Sequence, residues 1–146
     1  MEHPWNERLD LGNEALDHDH HTQLQLVTAF TDAVEQGRPA LARKLGEELG
    51  EYSRAHFRSE ELLMSTHGYD QAPAHAAEHD TLLARIREVN AAQAEGNHAL
   101  AVSLALDFRT DLSKHIANAD RRVAAVQGAP NVQPPATGTA VTKPAT

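Results

Sequence analysis

Four stretches of helical periodicity, set apart by short breaks that each contain a glycine, constrain this 146-residue chain more than any other feature. Apolar residues recur every three or four positions, and strand-like alternation is scarce. The first stretch, which Asp17 can cap, runs to about Gln36 with Leu24, Val27, Thr31 and Val34 on one face and His20 one turn earlier. Gly37-Arg38-Pro39 breaks it, and the proline suits the first turn of a following helix. The second stretch covers about 39–65 and aligns Leu41, Leu45, Leu49, Tyr52, His56, Glu60 and Leu63. After His67-Gly68-Tyr69-Asp70, a third runs from about Pro73 to Ala94 through His75, His79, Leu82, Ile86 and Val89. Glu95-Gly96-Asn97 ends it, and the fourth, His98 to about Val126, carries Leu100, Leu104, Phe108, Leu112, His115 and Ile116. Amphipathic helices joined by loops this short pack as antiparallel neighbours, so the expected fold is all-α, an up-down-up-down four-helix bundle. Residues 1–16 read as an N-terminal arm, 17–127 as the bundle, and 128–146 as a disordered tail rich in Pro, Ala and Thr.

Composition narrows the function classes. With no cysteine, disulfides, iron–sulfur clusters and thiolate zinc sites are excluded. The formal charge of −8, without a basic stripe, argues against nucleic-acid and anionic-membrane partners. No secretory signal and no apolar run of the ~20 residues needed to span a bilayer are seen, so the expectation is a soluble cytoplasmic domain. Ten histidines stand out from this background. Histidine is both the commonest metal ligand and the pH switch of the neutral range, and placement must decide between those roles.

His56 and Glu60 are four residues apart, as are His75 and His79, so each pair projects from one helical face and continues an apolar stripe. Glu60 facing a core needs a proton, a counter-charge or a metal. His115 and Asp120 are five apart, about 140° around an ideal helix, with Leu112 pointing between them. His20 supplies the first helix's inward ligand-type residue. Any one of these placements is matched by a plain core histidine or an exposed polar pair. Four helices doing so together point to a metal centre in the bundle interior. His18 and His21 point ~200° and ~100° away from His20, and with His3, His67 and His98 they read as surface residues.

From residue 5 to about 123 the chain resembles the hemerythrins, particularly the single-domain bacterial ones. The resemblance rests on Trp5, Leu16-Asp17-His18-Asp19-His20, His56-Phe57-Arg58-Ser59-Glu60-Glu61-Leu62-Leu63-Met64, Gly68-Tyr69, His75-Ala76-Ala77-Glu78-His79, and Leu112-Ser113-Lys114-His115-Ile116 followed by Asp120. It implies a non-haem di-iron centre. His75, His79 and His115 would bind one iron, His20 and His56 the other, and Glu60 and Asp120 would bridge them beside an oxo or hydroxo group. Imidazole and carboxylate suit iron, and bridging carboxylates relieve the repulsion of adjacent dications. Dioxygen would bind at the two-histidine iron in a pocket lined by Phe57, Leu112 and Ile116. A departure is Asp111, where the family usually has tryptophan; it implies a more open or polar rim and faster autoxidation.

The implied function is reversible dioxygen binding for carriage, storage or delivery, by a protein that is not an enzyme, with an oxygen-consuming enzyme as a candidate recipient. Two other classes compete. A di-iron oxidase, or a peroxide- or nitric-oxide-handling enzyme, would be expected to use Glu-x-x-His pairs and a carboxylate-rich shell, whereas the single such pair here, Glu95 and His98, straddles a break. An oxygen-sensing module would need a separate partner. A structural zinc uses fewer ligands than these seven.

Overall fold

The computed structural model describes residues 9–126. Helices α1 (Glu14–Glu35), α2 (Pro39–Thr66), α3 (Ala72–Ala94) and α4 (His98–His115) are followed by a π-helical turn (Ile116–Asp120) and a short α5 (Arg121–Val126). The expected bundle is therefore present, and no strand occurs among the described residues. α1 packs on α2 and α4, and α3 packs on the same two, so neighbours in sequence are neighbours in space.

The three interhelix connections share one device. Gly37, Gly68 and Gly96 have positive φ, the left-handed conformation that ends a helix at least cost for glycine. In each case the next residue donates back across the turn: Arg38 N–H to Ala33 O, Tyr69 N–H to Met64 O, Asn97 N–H to Ala92 O. Asn97 then caps α4, its Oδ1 accepting from Leu100 N–H. Each helix thus turns back within a few residues. Consequently the start of α1, the end of α2, the start of α3 and the end of α4 all lie at one end of the bundle.

Three sequence expectations need correction. α1 starts at Glu14 and is capped by Asn13, whose Oδ1 accepts from Leu16 N–H, not by Asp17. Asp17 lies within the first turn and accepts from Leu11 N–H instead, tying the preceding segment to the helix. Leu63 and Leu100 are 42% and 43% exposed, while their neighbours Met64 and Ala101 are buried. The inward positions beside them are taken by Phe57, Glu60 and Met64 on α2 and by Ala101 and Ala105 on α4, so each leucine falls on a flank; α2 also buries the small residues Ala42, Gly46, Gly50 and Ser53. At Gly46 a Cβ would collide with Asn90 of α3, whose Nδ2 donates to the Gly46 carbonyl. The fourth helix is the third correction, since residues 116–120 are wound as a π-turn. The core is otherwise as the stripes indicate, with Leu24, Val27, Phe30, Leu49, Leu82, Ile86, Phe108 and Leu112 buried. Most of the N-terminal arm, Trp5 and His3 within it, and the Pro/Ala/Thr-rich tail lie outside the described residues.

Candidate metal centre

His20, His56, Glu60, His75, His79, His115 and Asp120 are all buried and converge at the end of the bundle just described. His20 enters from α1, His56 and Glu60 from α2, His75 and His79 from α3. His115 and Asp120 approach each other because of the π-turn. Its hallmark is the Arg121 N–H bond to Ile116 O, one residue longer than an α-helical bond. Five residues make roughly one turn of such a helix, so side chains that an α-helix would hold ~140° apart share a face. His115 Nε2 and Asp120 Oδ1 are 3.0 Å apart.

The seven side chains fall into two overlapping sets. One unites Glu60, His75, His79, His115 and Asp120; the other unites His20, His56, Glu60 and Asp120. Within each set one donor atom per residue lies within 4.8 Å of all the others. Both carboxylates belong to both sets. His20 Nε2 is 3.0 Å from Asp120 Oδ2, His75 Nε2 is 2.7 Å from Glu60 Oε1 and 2.9 Å from Asp120 Oδ1, and His79 Nε2 is 3.0 Å from Glu60 Oε1. Yet Nε2 of His20, His56 and His115, Oε2 of Glu60 and both oxygens of Asp120 make no aligned hydrogen bond. Buried polar atoms left this way cost about 1–3 kcal/mol each. Apart from the bonds of His75 and His79 Nε2 to Glu60 Oε1, these atoms crowd a common point without bonding one another, an arrangement that a cation between them would satisfy.

Electrostatics agree with a clustered set. Burial opposes the charge of Asp120, but the ring nitrogens of His115, His20 and His75 outweigh it and hold the carboxyl well below the ordinary carboxylate range. Glu60 is lowered in the same way, by His75 and His79 against burial. Burial would depress His75, yet Asp120 and Glu60 beside it raise its pKa to about 9. His115 is likewise raised, by Asp120 and then Glu78, against its burial.

Three residues that the sequence reading left without a role complete the histidines from outside. His56 Nδ1 donates to Asp19 Oδ2 at 2.8 Å, His79 Nδ1 to Glu61 Oε2 at 2.7 Å, and His115 Nδ1 to Glu78 Oε1 at 2.8 Å. With the proton held on Nδ1, the Nε2 lone pair faces the centre, the arrangement typical of metal-ligating histidine. Asp19 also accepts from Tyr52 Oη at 2.7 Å. Tyr52 and His56 offset its burial and keep its carboxyl below the ordinary value.

Phe57, Leu112 and Ile116 are buried in one apolar cluster. Phe57 reaches the histidines directly, stacked on His79 at 4.1 Å and 10°. Asp111 sits on the rim of a surface groove of about 440 Å³ that also touches Glu78, Leu82, Lys114, His115 and Arg122. Its Oδ2 is 3.4 Å from Arg85 Nε. Of the remaining histidines, His18, His67 and His98 are exposed as expected, whereas His21 is half-buried.

A model of the hemerythrin HHE cation binding domain matches residues 11–126. The bacteriohemerythrin of Ralstonia nicotianae is 29% identical over 117 residues, covering 80% of this chain and 82% of that one. The bacteriohemerythrin of Pseudomonas aeruginosa strain PAO1 is 30% identical over 84 residues, a match spanning 58% of this chain and about half (55%) of the relative. A crystal structure of wild-type hemerythrin superposes with a TM-score of 0.68 at 26% identity, covering 79% of this chain and 88% of that one. No helix among the described residues is long and apolar enough to cross a membrane. The match across nearly the whole bundle and the metal-compatible cluster at its end agree: the chain belongs to the hemerythrin HHE cation-binding family.

Proposed function

We propose that the chain holds two iron ions and binds dioxygen reversibly between its helices. The observation that carries this reading is the unequal pair of ligand sets, three histidines against two, with Glu60 and Asp120 common to both. Imidazole and carboxylate donors suit iron, and the shared carboxylates offset the charge of two adjacent dications. Iron held by these residues would supply the electrons and the coordination position that dioxygen needs, and the His20 and His56 half, with fewer protein donors, is the one that would leave room for it.

The chain's own residues then have distinct tasks. Asp19, Glu61 and Glu78 fix three of the imidazoles in one tautomer and one orientation. Phe57, Leu112 and Ile116 exclude water, which favours release of dioxygen unchanged over its loss as a reduced product. A histidine-rich shell also supports binding over oxidation, in contrast to the carboxylate-rich shell of ferritin-like di-iron proteins. The role is therefore that of an oxygen-binding protein and not an enzyme.

The test is anaerobic loading with ferrous iron followed by optical spectroscopy through cycles of oxygen and vacuum. A coloured form that appears with oxygen and vanishes under vacuum over several cycles is expected. Irreversible bleaching, or sustained consumption of oxygen, would overturn the reading in favour of a di-iron enzyme.

A further inference from the structure

His56, His79 and His115 each have a carboxylate on Nδ1, but His20 does not. Its Nδ1 is the one histidine Nδ1 among the described residues that is buried without a partner. The ring is fully buried, and its Nε2 is the atom that faces Asp120, so Nδ1 points away from the centre. A metal-ligating imidazole in that position carries its proton on Nδ1 and needs an acceptor there.

An acceptor in the same predicament lies one turn along α1. Gln23 is fully buried and its Oε1 has no partner. Three residues separate it from His20, so the two side chains are neighbours on the inward face. The amide is already anchored: Nε2 donates to Ser53 Oγ of α2 at 2.9 Å, which commits its nitrogen to Ser53 and leaves the oxygen to accept. Ser53 in turn lies three residues before His56. The Gln23–Ser53 bond therefore spans α1 and α2 one turn deeper than the His20–His56 ring pair, whose centroids are 5.1 Å apart. Among the described residues, and besides the centre's own carboxylates, the other buried side-chain acceptor without a partner is Gln93 Oε1, near the opposite end of α3.

We infer that Gln23, held by Ser53, is the positioning residue of His20, accepting its Nδ1 proton directly after a small rotation of the amide or through one buried water. This rests on the di-iron reading above. Its consequence is an asymmetry. The three other partnered imidazoles face carboxylates, which push electron density onto Nε2, while His20 faces a neutral amide and is the weaker donor. The two-histidine half is thereby less ready to lose an electron, which slows autoxidation where dioxygen binds.

The experiment compares wild type, Gln23→Leu, Gln23→Glu and Ser53→Ala, by ferrous-iron competition against a chelator and by the midpoint potential of the loaded protein. Gln23→Leu is expected to weaken the second iron 10–100-fold, the usual loss for an outer-shell partner of a ligand. Gln23→Glu should keep both ions and lower the potential. A merely structural pair would lower the melting temperature in Gln23→Leu and Ser53→Ala while leaving iron affinity and potential unchanged in both Gln23 variants, and that result overturns the inference. Should Gln23→Leu fail to fold, the potential of Gln23→Glu decides: lower supports, unchanged overturns. A wild type that keeps fewer than two irons would instead count against the di-iron reading. In that case the exchange-protected His20 Nδ1–H signal in nitrogen-15 NMR of the metal-free chain still tests Gln23. Its loss in Gln23→Leu supports the assignment, and its persistence overturns it.

Discussion

Asp111 occupies the position where the resemblance leads one to expect tryptophan, and the structure shows what lies beneath it. The residue stands on the rim of the groove that ends on His115, beside Arg85, where an indole would cover the opening. Asp111→Trp should therefore slow autoxidation of the oxygenated protein, measured as decay of its visible band; an unchanged rate would remove Asp111 from the account. Most of the ligand-type residues were legible in the sequence because they sit at helical spacing on an apolar stripe, where an uncompensated Glu60 would be costly; Asp120, five residues beyond His115, stands out of that register. Their partners were not. Asp19, Glu61 and Glu78 reach His56, His79 and His115 across sequence separations of 37, 18 and 37 residues. Residues on the outer flank of one helix look like ordinary surface acids until the neighbouring helix is placed. Gln23 was hidden for the opposite reason, since a lone glutamine among Leu24, Val27 and His20 carries no periodic signal.

At the scale of elements, the helices and their glycine breaks follow from the sequence, while two finer features do not. Asn13 and Asp17 are both good caps, and only the Leu11 N–H bond to Asp17 shows why the helix begins a turn earlier. Leu63 and Leu100 lie one position off the buried faces, where Met64 and Ala101 point inward instead. The π-turn left a trace, the five-residue spacing of His115 and Asp120, which a regular helix cannot bring to one face. A π-turn behaves as one residue inserted into an α-helix. A chain lacking Asn118, an exposed residue within the turn, would place these two proposed ligands four apart on a regular helix. It should fold with an equal or higher melting temperature and still bind iron. Failure to bind, read by metal analysis of the purified protein, would contradict the idea that the turn serves register.

For the whole molecule, the ion cluster at one end makes stability depend on pH in opposite senses with and without metal. Without metal, His75 has its pKa raised from 6.5 to about 9, so its contribution is complete below about 6.5 and is lost as pH rises through about 9. Glu60 and Asp120 are lowered, so theirs is complete above the ordinary carboxylate range and lost as pH falls below it. The metal-free chain should therefore melt at a higher temperature at pH 6 than at pH 9.5. Metal binding needs the neutral ring, so loading at pH 7 should release protons and tighten as pH rises. Calorimetric melting at the two values, with and without iron, checks both; a metal-free chain equally stable at both would contradict the cluster's electrostatics. On the proposed reading, seven residues from four helices hold two ions through shared carboxylates. The most direct measurement of this is the number of ferrous ions retained per chain after anaerobic loading and desalting. Two per chain, falling together when Glu60 is changed to alanine, is the predicted result; one or none in the unaltered chain would contradict it.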